Sequence, residues 1–266
     1  MARPVSAYLC SYPKSGRTWM RFALVNLMNE AYGLGLELDM ENMFTLIPND
    51  DGEGLTQPWK ALDRYGFADR EEMPFVAMSH LPWDARFSDP AVVLLLRNPA
   101  DTLTSRYFHV TRHEGKLEAS IDEFARNAEL GVPSLVEYFA SWEPHAGDGN
   151  VEVVTYEQLR AEPFGPFRRI ADQLGIEATD EQVQAALDAS TVEKMREVER
   201  ASGVGQPNAY DRSDPQAMRV RKAKVGGWRE ELGPETVEYL MESFAASPPA
   251  MELLERYSIV PQVGPA

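Results

Sequence analysis

The sequence predicts an α/β fold, a single domain whose central parallel sheet is flanked by helices. Four short runs are apolar or β-branched and have the length of buried strands. Helix-like patterns lie between most of these runs, and that alternation is typical of a parallel sheet. The predicted strands are residues 7–11, 75–79, 91–96 and 151–155.

Helix signals are clearest in four places. In residues 17–29 apolar side chains recur on one face of a helix. A second helix is expected to begin at Asn98, a good N-cap, with Pro99 at the first helical position. Two more are expected to begin at Thr179, which opens a capping box, and at Pro234.

Three stretches rich in Gly, Pro and Asp are expected to form loops, namely residues 33–74, 110–150 and 201–220. Long loops of this kind often shape binding sites. Because the 266 residues contain no long linker, residues 1–266 are expected to form one domain.

The net charge and the cysteine content indicate which binding partners and which cellular compartment to expect. The chain has 26 basic and 42 acidic residues, a formal charge of -16, which disfavours nucleic acid as a partner. No apolar stretch approaches the ~20 residues of a membrane helix, and no export signal is evident, so no membrane association is expected. Cys10 is the only cysteine, which fits a reducing compartment, and the sequence predicts a cytoplasmic protein.

The segment SYPKSGRTW, residues 11–19, has the features of an anion-binding loop. It follows a predicted strand and opens a predicted helix, so backbone N–H groups and a helix N-terminus can face an anion. Lys14 adds a charge, and Ser15 and Thr18 add hydroxyl donors. The lysine precedes Gly16, whereas the P-loop of nucleoside triphosphatases has its lysine after the last glycine, which argues against an ordinary kinase. Taken alone, the segment is equally compatible with a turn whose lysine faces water.

Two more cationic segments support an anion site. Arg97 leaves the predicted strand 91–96 as Lys14 leaves the first, and Ser105 lies two helical turns beyond Asn98. A guanidinium and a hydroxyl placed in this way can grip one phosphate. Four cations also fall between residues 219 and 224, just before a Gly-Gly-Trp sequence.

Together the three segments resemble the PAPS-dependent sulfotransferase family of the cytosolic type, where PAPS is 3'-phosphoadenosine 5'-phosphosulfate. The resemblance covers about Tyr8 to Trp228. It implies a P-loop-like, nucleotide-kinase-like fold. Within the family, the chain is similar to bacterial enzymes that sulfate small molecules in secondary metabolism. The motifs of this sequence differ from the family pattern at Arg17, Ala223 and Gly227.

The resemblance also implies the site residues. Lys14 and His80 are the implied catalytic residues, with His80 as the general base of the MSHLP segment. Met78 stands where relatives often carry a lysine. The implied donor-binding residues are Lys14, Ser15, Gly16, Arg17, Thr18, Trp19, Arg97, Ser105, Tyr156, Thr191, Val192, Arg221, Lys222 and Ala223.

The implied activity is transfer of the sulfuryl group of PAPS to a hydroxyl of a small or medium-sized acceptor, leaving adenosine 3',5'-bisphosphate (PAP). A P-loop nucleotide-dependent kinase and a non-catalytic PAP-binding protein are the alternatives. No metal is expected, since His109 and His113 have a metal-like spacing but no third ligand is evident nearby. The acceptor stays open: the acidic stretch 37–54 fits a cationic acceptor or a solvated loop. A homodimer is also left open.

Overall fold

One mixed sheet forms the centre of the chain. The computed structural model describes residues 4–56, 70–201, 216 and 224–262. Its strands are β1 (Ala7–Ser11), β2 (Asn49–Asp50), β3 (Leu55–Thr56), β4 (Val76–Ser79), β5 (Ala91–Leu96) and β6 (Val151–Thr155). Their order across the sheet is β3-β2-β4-β1-β5-β6. All neighbours pair in parallel except β3, which is antiparallel to β2 at the edge. The predicted α/β class with a central parallel sheet is confirmed.

Helices follow most of the strands. They are α1 (Arg17–Ala31), α2 (Met40–Leu46), α3 (Pro99–Phe108), α4 (Ile121–Arg126), α5 (Val132–Trp142), α6 (Tyr156–Ala161), α7 (Phe164–Gln173), α8 (Asp180–Ala189), α9 (Val192–Ala201), α10 (Pro234–Ala245) and α11 (Pro248–Arg256). The four helices expected from the sequence are among them. A π-helical turn, His109–His113, continues α3. Among the described residues no helix is long and apolar enough to cross a membrane.

The two faces of the sheet bury separate apolar layers because side chains alternate along each strand. Leu9 of β1 packs in a layer with α1, α7 and α8. Cys10, the next residue, packs in the opposite layer with α3, α5, α10 and α11. Cys10 is fully buried, and burial raises the pKa of its thiol well above its ordinary value, so it remains protonated. Helices therefore cover both faces of the sheet.

Two of the expected loops contain regular structure, so those predictions are wrong in part. Residues 110–150 include α4 and α5, and residues 33–74 include α2, β2 and β3. In α5 the apolar side chains recur at i, i+3, i+4 and i+7 and are fully buried, namely Leu135, Tyr138, Phe139 and Trp142. Two of the residues that suggested a loop, Gly131 and Pro133, stand at the start of α5. Most of the loop predicted at 201–220 lies outside the described residues.

The candidate functional residues meet at one edge of the sheet. Four polar or aromatic residues directly follow the strands β1, β4, β5 and β6, namely Tyr12, His80, Arg97 and Tyr156. The carboxyl ends of parallel strands lie at the same edge, where α/β proteins commonly bind ligands.

Candidate active site

The loop between β1 and α1 has a backbone shaped for an anion. Lys14 adopts a left-handed conformation with φ 72°, which is uncommon for a residue with a side chain. Gly16 has φ 106° and is the N-cap of α1. A Cβ at Gly16 would lie 2.8 Å from Cδ2 of Tyr156, so the position requires glycine for conformation and for space. The loop and α6 are therefore in close contact.

Arg97 holds this loop through a hydrogen bond and has a further donor that can bind a ligand. Its Nη1 donates to the Lys14 carbonyl at 2.9 Å, and its guanidinium lies 4.3 Å from the ring centroid of Tyr156. The Nε atom of Arg97 is buried and has no hydrogen-bond partner among the described residues. A buried donor without a partner is costly, so an anion beside Arg97 fits this site.

Most of the residues implied by the resemblance border one cleft. Both implied catalytic residues, Lys14 and His80, are among them. The implied donor-binding residues that line the cleft are Lys14, Gly16, Arg17, Thr18, Trp19, Arg97, Ser105, Tyr156 and Val192. Segments far apart in the chain are thus brought together at the carboxyl edge of the sheet.

Two other implied residues, Ser15 and Thr191, do not border this cleft. Ser15 is buried at the base of the loop, where its N–H donates to the Tyr12 carbonyl at 3.3 Å. Thr191 borders an adjoining depression that shares Trp19 and Val192 with the cleft. The implied residues Arg221, Lys222 and Ala223 lie outside the described residues.

His80 is held in one tautomer at the edge of the cleft. Its Nδ1 lies 2.6 Å from the carbonyl oxygen of Ser11. Because a carbonyl only accepts, Nδ1 carries the proton in the neutral ring and Nε2 is the unprotonated nitrogen. Burial lowers the pKa of His80 well below its ordinary value, and the positive charge of Arg17 lowers it further. The ring is therefore neutral at physiological pH and can accept a proton at Nε2.

Asp101 is an acidic residue in the first turn of α3, and its long-range contacts could not be read from the sequence. Its carboxylate accepts the N–H of Gly226 at 2.6 Å and that of Trp228 at 3.0 Å. Gly227 and Lys224 of the same segment border the cleft. Trp228 is buried in the core and does not border the cleft. Asp101 thus positions the C-terminal glycine segment against α3.

A second long-range contact positions the segment around Val192. The indole N–H of Trp19 donates to the Ser190 carbonyl at 2.7 Å. Arg160 borders the same region of the cleft and was not predicted. The signal for Arg160 was its position four residues after Tyr156, which places both on one face of α6.

The two histidines after Ser105 have different surroundings. His109 borders the cleft, and its Nε2 lies 3.6 Å from a carboxylate oxygen of Glu114. The His113 ring is buried and stacks on that of His109 with centroids 4.6 Å apart. No cluster of three or more metal-ligating side chains occurs among the described residues. Met78, where relatives often carry a lysine, is fully buried in the core. Its side chain is uncharged, so this position supplies no cation to the cleft.

The sequence model of the sulfotransferase domain matches residues 6–256, nearly the whole chain, and the chain belongs to that family. Nothing in the comparisons favours a nucleotide-dependent kinase.

Characterised relatives and solved structures agree with this class. The chain is 24% identical to an amine sulfotransferase of Oryctolagus cuniculus, over 89% of this chain and 78% of that relative. It is 28% identical to a 3-alpha-hydroxysteroid sulfotransferase of Cavia porcellus, over 91% of this chain and 84% of the relative. A mouse sulfotransferase crystallised with PAP has the same fold, with a TM-score of 0.62, 21% identity, and coverage of 96% of this chain and 90% of that one.

Proposed function

We propose that this sulfotransferase moves the sulfuryl group of PAPS to a hydroxyl of a small or medium-sized acceptor and leaves PAP. The observation that carries the proposal is the convergence of Lys14, Arg97 and His80 on one cleft at the carboxyl edge of the sheet. Family membership and a neighbour solved with PAP support the choice of donor. A retinol dehydratase of similar fold, solved with androsterone and PAP, supports a small hydroxyl compound as acceptor.

The loop after β1 holds the 5'-phosphosulfate end of the donor. Backbone N–H groups at the start of α1 face the anion, and Lys14 lies where negative charge grows on the leaving phosphate oxygen. PAPS supplies an activated sulfuryl group on a phosphate leaving group. Removing one such preorganised donor costs on the order of 3 to 4 kcal/mol of transition-state stabilisation in comparable enzymes.

The far end of the cleft holds the nucleoside and its 3'-phosphate. Arg97, with its unpartnered Nε, and Ser105 bind the 3'-phosphate. Trp19 and Val192, with Thr191 beside them, border the adenine, and Tyr156 closes the cleft over Gly16. Arg221, Lys222 and Ala223 complete the 3'-phosphate site by resemblance to the family motif.

His80 acts on the acceptor. The proton of the acceptor hydroxyl passes to Nε2 as the new S–O bond forms, and the electron pair of the broken S–O bond stays on the phosphate oxygen beside Lys14. The Ser11 carbonyl holds the ring orientation and stabilises the imidazolium formed in this step. A cytoplasmic location is part of the proposal, since Cys10 is the only cysteine and some relatives are named cytosolic sulfotransferases. The homodimer stays a prediction.

Substitution of His80 by asparagine tests the catalytic assignment. The amide of His80→Asn can still donate to the Ser11 carbonyl but cannot take a proton, so turnover with PAPS should fall about 100-fold or more. PAP affinity, measured by calorimetry, should stay within a factor of about two.

The control for this test is His145→Asn, because His145 stacks on Trp83 away from the cleft and its replacement should leave turnover unchanged. Equal turnover of His80→Asn and the unsubstituted protein would exclude His80 as the base. PAP binding without any turnover of the unsubstituted protein would instead indicate a non-catalytic PAP-binding protein.

A further inference from the structure

Lys224 lies beside Arg97, the residue proposed to bind the 3'-phosphate of the donor. The carbonyl of Lys224 accepts a hydrogen bond from Nη2 of Arg97 at 3.5 Å. A Cβ built on Gly227 would lie 3.8 Å from Cβ and 4.0 Å from Cδ of Lys224. Lys224, Gly227 and Arg97 all border the cleft. The stem of the lysine therefore lies in the part of the cleft wall that contains Arg97.

The backbone that carries this lysine is anchored at two points. The first is the hydrogen bond from Arg97 to the Lys224 carbonyl. The second is Asp101, whose carboxylate accepts the N–H of Gly226 at 2.6 Å and that of Trp228 at 3.0 Å. An anchored backbone limits the space that the ammonium can reach, which lowers the entropy cost of binding an anion there.

The ammonium of Lys224 is paired with a carboxylate that is easy to exchange. Its Nζ donates to Oε1 of Glu230, and the two side chains are 56% and 50% exposed. An exposed ion pair of this kind contributes less than about 1 kcal/mol, because water screens the charges. A lysine ammonium has three donors on a flexible stem, so it can turn from one anion to another.

The charges at this part of the cleft favour a further cation. Arg97 and Asp101 both border the cleft and carry opposite charges. A phosphate monoester adds about -1.5 to -2 charges at neutral pH. A second cation beside Arg97 therefore stabilises a bound phosphate, and the ammonium of Lys224 is within the same segment of the wall.

We propose that Lys224 binds the 3'-phosphate of the donor and that its ammonium leaves Glu230 to do so. The inference rests on the proposed function. Lys224 follows the implied donor-binding residues 221–223 and is not one of them. The phosphate replaces the Glu230 carboxylate because it carries more charge and offers more acceptor oxygens. The ammonium then adds to the preference for nucleotides that carry a 3'-phosphate.

A comparison of PAP with AMP tests the assignment, because AMP lacks only the 3'-phosphate. Affinities are measured by calorimetry. Lys224→Gln should lower PAP affinity about tenfold, since one charge-assisted hydrogen bond to the 3'-phosphate is lost. AMP affinity should stay within a factor of about two. Lys224→Arg should retain most of the PAP affinity because the positive charge is kept.

The matched control is Lys116→Gln. Lys116 is also an exposed lysine paired with a glutamate, at 3.3 Å from Glu114, and it does not border the cleft. Its replacement should leave PAP affinity unchanged, which separates a contact with the phosphate from the general loss of one positive charge.

Glu230 tests the exchange of partners. Glu230→Gln removes the competing carboxylate, so PAP affinity should rise about two- to threefold, in keeping with the small energy of an exposed pair. The same substitution made together with Lys224→Gln should give no gain. A gain of equal size in both backgrounds would show that Glu230 acts on the nucleotide directly and would overturn the exchange.

Turnover with PAPS gives an independent readout. Lys224→Gln should raise the KM for PAPS and leave kcat nearly unchanged, because the 3'-phosphate is not the group that is transferred and its contact is the same before and during the reaction.

The outcomes separate this inference from the proposed function. Unchanged PAP affinity in Lys224→Gln would overturn the inference and leave the function intact. Equal losses of PAP and AMP affinity would place Lys224 away from the 3'-phosphate and would also overturn it. Absence of PAP binding to the unsubstituted protein would overturn both.

Discussion

His80 combines a fixed tautomer with a lowered pKa, and this pairing predicts the pH dependence of activity. Only the neutral ring can take the acceptor proton, and a lowered pKa keeps the ring neutral as the pH falls. The acid limb of kcat/KM should therefore lie below about 6.5, the ordinary pKa of histidine. Arg17→Gln removes the largest charged cause of the lowering, so in that variant the limb should move to higher pH. Profiles with an alcohol acceptor that does not itself titrate measure both effects, and a limb at or above the ordinary value would contradict this account of the base.

Gly16 is the second residue whose surroundings make a sharp prediction. Gly16→Ala adds a Cβ in a left-handed conformation and within 2.8 Å of Tyr156, so the loop must shift and PAP affinity should fall about tenfold or more. Gly33→Ala is the matched control, because Gly33 has φ 60° and no atom within 4 Å of the added Cβ. It should cost about 1 kcal/mol of stability for the backbone alone and leave PAP binding unchanged. Equal PAP affinity in Gly16→Ala and the unsubstituted protein would show that the loop does not hold the donor.

The residues nearest the anion loop were readable from the sequence because each follows a strand or begins a helix. His80 and Arg97 directly follow β4 and β5, and Lys14 lies in the loop three residues after β1. The catalytic role of His80 was implied by the resemblance to the family. The role of Asp101 was not readable, because the segment that it binds lies 125 residues away.

At the scale of elements, Asp101 joins α3 to the glycine segment at 226–228, and its loss should separate them. Asp101→Ala leaves the buried N–H of Trp228 and the half-buried N–H of Gly226 without this acceptor and should lower the free energy of unfolding by about 1 to 3 kcal/mol. PAP affinity should fall as well, because Lys224 and Gly227 of this segment border the cleft. Denaturant unfolding and calorimetry measure the two effects.

Asp172→Ala is the control for this prediction. Its carboxylate forms an exposed ion pair with Arg168, which should be worth less than about 1 kcal/mol. If Asp101→Ala were no more destabilising than this control and bound PAP normally, Asp101 would not position the segment.

Strands and helices were predicted correctly where the apolar pattern and the length of a segment indicated the same element. The four buried strands and the helix after Asn98 combine strong local signals with their expected neighbours. β2 and β3 are only two residues each, too short for a periodic signal, and exist because they pair at the edge of the sheet. Within 110–150, α5 was obscured by Gly131 and Pro133 at its start, although its apolar stripe was present in the sequence.

The cleft is assembled from the whole molecule, and ligand binding should therefore stabilise the whole fold. Its lining runs from Pro13 to Gly227 and includes residues that follow β1, β4, β5 and β6. PAP at about a hundred times its dissociation constant should raise the free energy of unfolding by about 2.7 kcal/mol, provided that it binds only the folded state. Scanning calorimetry should show one transition that moves to higher temperature with PAP. In Arg97→Gln most of this PAP-induced shift should be lost. Two unfolding transitions, of which only one moves when PAP is added, would contradict the single-domain prediction.

The identity of the transferred group distinguishes a sulfotransferase from a nucleotide-dependent kinase. The protein is incubated with a mixture of hydroxy acids and neutral alcohols, once with PAPS and once with Mg-ATP, and the products are identified by mass. We expect a sulfate ester together with PAP in the first reaction and no phosphorylated product in the second. Phosphoryl transfer from ATP without sulfuryl transfer from PAPS would contradict this expectation.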